Sequence, residues 1–138
     1  MCQGTIEEAS ATDEQLKSLA APLLASGIGV VALTLGASGA FVAVSDDGER
    51  LTGRGGVLAR ATARWQPGEC VRLPALPVTG ELNANGAGDA FTAGFLAAML
   101  WRAEPPLTLA QATELALASA RQRVDDAATP TSVEELVA

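Results

Sequence analysis

An α/β layered domain is the fold class this sequence predicts, and three observations predict it. The run Val30-Val31-Ala32-Leu33-Thr34-Leu35 is short, apolar and partly β-branched, as expected of a strand buried on both faces. From Gly86 to Trp101 nearly every residue is apolar, over a length that suits a helix buried on most sides. A second helical stretch, roughly 108–123, follows the break at Pro105-Pro106 and carries Leu109, Ala112, Leu115, Ala116 and Ser119 on one face. With 138 residues the chain is one domain's worth. A domain of that size buries roughly 68–70% of the surface that its unfolded chain exposes, so one compact unit with a true core is expected.

The remaining elements follow in order. Thr12-Asp13-Glu14-Gln15 opens a first helix: Thr12 is the cap, Gln15 stands at the capping-box position, and Leu16, Leu19, Ala20 and Leu23 follow at helical spacing until Ser26-Gly27. After the Val30–Leu35 strand, the loop Gly36-Ala37-Ser38-Gly39 leads into a second strand from Ala40 to Ser45, whose partner is expected beyond the turn signal Asp46-Asp47-Gly48. Residues 53–80 read as short strands joined by loops, with Val57-Leu58-Ala59 and Cys70-Val71-Arg72-Leu73 as the apolar pieces. Gly94, inside the long apolar helix, costs about 1 kcal/mol relative to Ala and marks close contact with a neighbour. A short helix starting near Ser132 is expected to close the chain. Aromatics are scarce, so the core is built from Ala, Val and Leu, with Phe41, Phe91, Phe95, Trp65 and Trp101 as its few large pieces.

Composition excludes several function classes. The net charge of −7, with no basic run and few aromatics to stack on bases, argues against a nucleic-acid or anionic-membrane surface. Cys2 and Cys70 fit no metal spacing and are expected as reduced thiols. The absence of histidine removes Ser-His-Asp catalysis and the usual Cys/His zinc sites. No signal segment and no membrane-length apolar run stand in the sequence, so a cytoplasmic setting is the default expectation.

The chemistry concentrates at Leu82-Asn83-Ala84-Asn85-Gly86-Ala87-Gly88-Asp89, where an irregular segment turns into the apolar helix. Small residues let a ligand approach the backbone, and the amides of Gly86, Ala87 and Gly88 fall among the unpaired N–H groups of a helix start, which attract phosphate. Asp89 in the first turn then stands where it can take a proton from an attacking hydroxyl. The plainer account is a tight turn whose acid complements the helix dipole, worth about 0.3–1 kcal/mol. The continuation into a buried helix favours the site, because the first turn then borders a core where a cleft can form. A nicotinamide fingerprint fits poorly, since Phe91 stands where its third glycine belongs. Thr34-Leu35-Gly36-Ala37-Ser38-Gly39 is by itself a tight hairpin connection, and no Walker Gly-Lys-Ser/Thr follows it. Asp46, Asp47, Asp125, Asp126, Glu134 and Glu135 read as turns and solvated faces.

Together and in this order, the two glycine motifs resemble those in the carboxy-terminal half of the PfkB (ribokinase-like) family of sugar and nucleoside kinases. The continuation Ala90-Phe91-Thr92-Ala93-Gly94-Phe95-Leu96 is similar to that family too, and the resemblance runs loosely from about residue 12 to the end. It implies the carboxy-terminal portion of a ribokinase-like three-layer (Rossmann-like) α/β sandwich, with residues 1–138 as the nucleotide-binding and catalytic-base part of the kinase domain. It also implies ATP-dependent phosphoryl transfer to a hydroxyl of a small-molecule sugar or nucleoside, with Mg²⁺ and a monovalent cation as further cofactors. By the family motifs, Asp89 matches the catalytic base, Gly86, Ala87 and Gly88 match the anion hole, and Thr34, Gly36 and Gly39 match the nucleotide loop.

Some positions depart from the pattern. Asn83 replaces the first acid of the motif, as in members related to pseudouridine kinases, which is the basis for a pseudouridine- or ribose-like acceptor; Ala84 replaces its threonine. Leu117 stands where many members place Asn near the adenine, and Asp125-Asp126-Ala127-Ala128 lacks the glycine often found beside the monovalent-cation site. The resemblance implies that the acceptor and the lid belong to an amino-terminal half of the family domain, outside the part that these residues resemble. The expected alternative is therefore a truncated, non-catalytic paralogue or split subunit that binds nucleotide or a partner chain, the partner being a separate amino-terminal half or a second copy.

Overall fold

A computed structural model describes residues 11–53, 55–78, 83 and 85–125. The elements run α1 (Asp13–Ala25), β1 (Val30–Thr34), β2 (Ala40–Val44), α2 (Gly48–Thr52), α3 (Val57–Ala61), β3 (Cys70–Leu73), α4 (Ala87–Leu100) and α5 (Leu109–Val124). The strands form a three-stranded antiparallel sheet in the order β1-β2-β3, with Val31 opposite Ala43 and Val42 opposite Val71.

Side-chain alternation along these strands separates two cores. On one face Val31, Phe41 and Ala43 pack with Leu16 and Ala20 of α1. On the other, Ala40, Val42 and Val44 pack with Phe91, Phe95 and Ala98 of α4 and with Leu109, Ala112 and Ala116 of α5. Helices therefore cover both faces of the central strand, and every residue of β2 is buried. Arg72 of β3 points to the α1 face, where it donates to the Ala11 carbonyl at 2.8 Å and pairs with Asp13 at 2.9 Å.

Local chemistry accounts for the helix starts. Both α1 and α5 open on complete capping boxes, Thr12 with Gln15 and Thr108 with Gln111. A different cap corrects the expected hairpin after Asp46-Asp47-Gly48: the Asp47 carboxylate accepts the Glu49 N–H at 3.0 Å and starts α2 instead, so the second partner of β2 is β3. Val57-Leu58-Ala59 likewise lies in a short helix rather than a strand, closed by Thr62 donating to the Leu58 carbonyl at 2.9 Å.

Burial departs from expectation in three places. β1 is buried on one face only, because it is an edge of the described sheet and α1 covers just its Val31 side; Ala32 and Thr34 are exposed. In α4 only Phe91, Gly94, Phe95 and Ala98 are buried, since the sheet and α5 cover one side and leave Leu96, Leu100 and then Trp101 in solvent. Trp101 is thus no part of the core, whereas Trp65 is, its indole N–H donating to the Leu107 carbonyl at 3.1 Å. Leu19 and Leu23 are also exposed, so α1 buries a narrower stripe than its spacing suggests. Cys70 is exposed with a free thiol. Cys2, the helix expected near Ser132, Asp126, Glu134 and Glu135 lie outside the described residues.

Candidate functional site

Gly88 and Asp89 of the glycine motif meet Thr34 on one cleft, which Gly86 and Ala87 do not line. Its lining comes from two elements, Ala32 and Thr34 of β1 and Gly88, Asp89, Phe91, Thr92, Phe95 and Leu96 of α4, and it encloses about 340 Å³. That volume lies at the lower end of the roughly 300–1,000 Å³ of small-molecule sites.

The α4 end of the cleft is built by its sequence. The Asn83 side chain accepts the Asn85 N–H at 3.1 Å, a local turn that leads the chain into Gly86. Gly86 is the N-cap of α4 with φ 80°, a left-handed conformation natural to glycine, and no side chain caps the helix there. The amides of the first turn accordingly have no intrahelical acceptor and point outward at the positive end of the helix dipole. A Cβ on Gly88 would meet nothing within 4 Å, so the residue leaves open space at the cleft rather than room for a packing neighbour. The Asp89 carboxylate is exposed, and among the described residues no Lys or Arg pairs with it.

Thr34 ends β1 opposite Ala40, and residues 35–39 close the hairpin through Leu35 N–H to the Gly39 carbonyl at 2.8 Å and Ser38 N–H to the Leu35 carbonyl at 2.9 Å. Gly36 is exposed in this turn; neither it nor Gly39 lines the cleft. Gly39 is buried against the chain leaving β3, where a Cβ would collide with the Leu73 carbonyl oxygen.

Two positions, one inside α5 and one at its C-cap, complete the surroundings of the motif. Asp125 is not solvated but 2% exposed, and beside it the Asn83 N–H donates to the Val124 carbonyl at 2.9 Å, joining the end of α5 to the motif. Leu117 is buried in the core shared by α4, α5 and the sheet, and does not line the cleft. Sequence reasoning missed two further residues. Ala32 shares a strand face with Thr34 and was legible from the two-residue period. Arg123 lies against Gly86: a Cβ there would stand 3.1 Å from its Nε. Only the antiparallel packing of α5 on α4, marked by Gly94 against Ala116 and Ser119, brings that arginine near.

A family model described as pfkB family carbohydrate kinase matches residues 4–136. The chain belongs to the pfkB family. None of the curated proteins compared matches it. A pfkB domain implies a ribokinase-like α/β fold, with which the three-stranded sheet and its helices agree, and points to a kinase-type enzyme acting on a small-molecule sugar or nucleoside. Among the described residues, no helix is long and apolar enough to cross a membrane. No three His, Cys, Asp or Glu side chains among them gather to hold a metal ion. Kinases of the pfkB family generally use ATP with Mg²⁺.

A second hollow, about 290 Å³, lies at the far end of α4 between Arg64, Trp101, Arg102 and Glu104. It contains neither of the pfkB motifs.

Proposed function

We propose that this pfkB chain is the nucleotide-binding and catalytic-base portion of an ATP-dependent phosphotransferase acting on a hydroxyl of a sugar or nucleoside, with a pseudouridine- or ribose-like acceptor preferred. The observation that carries the reading is that Asp89, Gly88 and Thr34 line one cleft at the uncapped start of α4. In this reading Asp89 accepts the proton of the acceptor hydroxyl as its oxygen bonds to the terminal phosphorus of ATP. The bond from that phosphorus to the bridging oxygen breaks, and ADP leaves with the bonding pair. The amides of Gly86, Ala87 and Gly88 receive the charge on the phosphoryl oxygens, an arrangement that costs no reorganisation because the helix holds them in place. Thr34 and the turn to Gly39 lie along the nucleotide.

Mg·ATP is expected to raise the melting temperature of the chain. Asp89→Asn is expected to lower transfer to an accepted sugar or nucleoside by about 10²–10⁴-fold, the usual contribution of a general base, while leaving ATP binding nearly intact. Melting that does not move with Mg·ATP, or an Asp89→Asn variant with full transfer, would sink the reading.

The exposed apolar side of α4 and the edge that β1 forms among the described residues favour a second reading, in which the chain is a non-catalytic or split subunit working through another chain. Under it, the chain alone transfers no phosphoryl group to any acceptor.

A further inference from the structure

Arg123 belongs to the last turn of α5, yet its side chain extends over the start of α4. A Cβ placed on Gly86 would stand 3.1 Å from its Nε and 3.6 Å from both Cζ and Nη2, so glycine at this cap also makes room for the guanidinium. Gly86 and Arg123 are both exposed, which leaves the pair open to a ligand. The start of α4 offers an arginine no electrostatic attraction. A full positive charge lies beside amides that carry the positive end of the α4 dipole, and like potentials at this range repel. Among the described residues the cations that find carboxylates are Lys17, Arg50 and Arg72, so no ion pair relieves Arg123, not even one with Asp89 in the same first turn. The attraction of a cation to the carbonyl end of α5 explains a basic residue in that turn, and Arg121 supplies one already. It does not explain a guanidinium laid across Gly86.

We infer that Arg123 contacts the phosphoryl group being transferred, its guanidinium acting with the amides of Gly86 to Gly88 on the oxygens of the terminal phosphate. The inference rests on the kinase reading above and adds to it a side chain that no family motif marks. Arginine suits the task because its fixed fork of donors matches phosphate and it stays charged throughout. It gives up no proton: the hydroxyl proton goes to Asp89, the phosphorus–oxygen bond to ADP breaks, and Arg123 only neutralises charge on the oxygens that stay with phosphorus.

The test is the ratio of ATP to ADP affinity, measured by calorimetry with Mg²⁺ on the wild-type chain, Arg123→Gln and Arg123→Lys. A contact specific to the terminal phosphate lowers ATP affinity roughly tenfold to a hundredfold in Arg123→Gln, the usual worth of a charge-assisted hydrogen bond, and leaves ADP affinity unchanged. Arg123→Lys keeps the charge without the fork, so its ratio falls less. A residue that merely stabilises the end of α5 would move the melting temperature and not this ratio. An unchanged ratio in whichever variant folds overturns the inference while the kinase reading stands. A wild-type chain that binds neither nucleotide overturns the kinase reading and the inference with it.

Discussion

Gly39 sits where the backbone alone demands glycine. Its φ of 93° with ψ of −131° is a region closed to other residues, and the Leu73 carbonyl occupies the place of a side chain. Gly39→Ala is therefore expected to cost about 3 kcal/mol or more, summing backbone strain and overpacking, in a urea titration without nucleotide. An unchanged midpoint would show that the turn adapts and that glycine there serves a ligand instead. Asp89 and Gly88 differ in kind, because no packing requirement accounts for them: one is an exposed acid without an ion pair among the described residues, the other faces open space. The sequence could reveal both sets of glycines but not this difference, which depends on Leu73, 34 positions beyond Gly39 in the chain.

The helix pair α4–α5 is the element on which the site depends. Gly94 lets the two helices approach until a Cβ at that position would stand 2.7 Å from Ser119 Cβ and 3.0 Å from Ala116 Cα. Replacing a helical glycine with alanine ordinarily gains about 1 kcal/mol, but inserting a methyl into a packed seam costs about 1–3 kcal/mol. The second effect wins here because one obstacle is backbone, which cannot rotate away. Gly94→Ala is expected to lower the denaturation midpoint, whereas Gly88→Ala in the same helix is tolerated; the reverse order would mean that α5 is not packed this way. Long segments such as the capped, periodic α1 and α5 and the unbroken apolar run of α4 were legible in the sequence for a physical reason: their signals are local. Residues 48–61 were not, since an apolar piece as short as Val57-Leu58-Ala59 suits either a strand or one helical turn, and the choice rested on the Asp47 cap and the Thr62 hydroxyl. The exposed side of α4 was invisible for another reason: an almost wholly apolar sequence carries no polar residues to mark which side faces water.

Across the whole molecule, apolar surface is unevenly distributed. Leu96 and Leu100 are 53% and 66% exposed on one side of α4, Trp101 follows at its end, and β1 is an open sheet edge among the described residues. Surfaces of this kind draw other chains. The chain is expected to associate as its concentration rises, and Leu100→Glu, outside the cleft, is expected to weaken that association in sedimentation velocity with little effect on melting. Association equal in wild type and variant would mean that this side of α4 is not the adhesive one. The two tryptophans, separated by the same asymmetry, have a use of their own. Trp65 is 5% exposed with its ring 5.9 Å from that of Phe95, while Trp101 is 45% exposed at the end of α4. One indole emits from a dry surrounding and the other from water, so the fluorescence spectrum carries two built-in reporters, one for loss of the core and one for events at the surface, readable without a label.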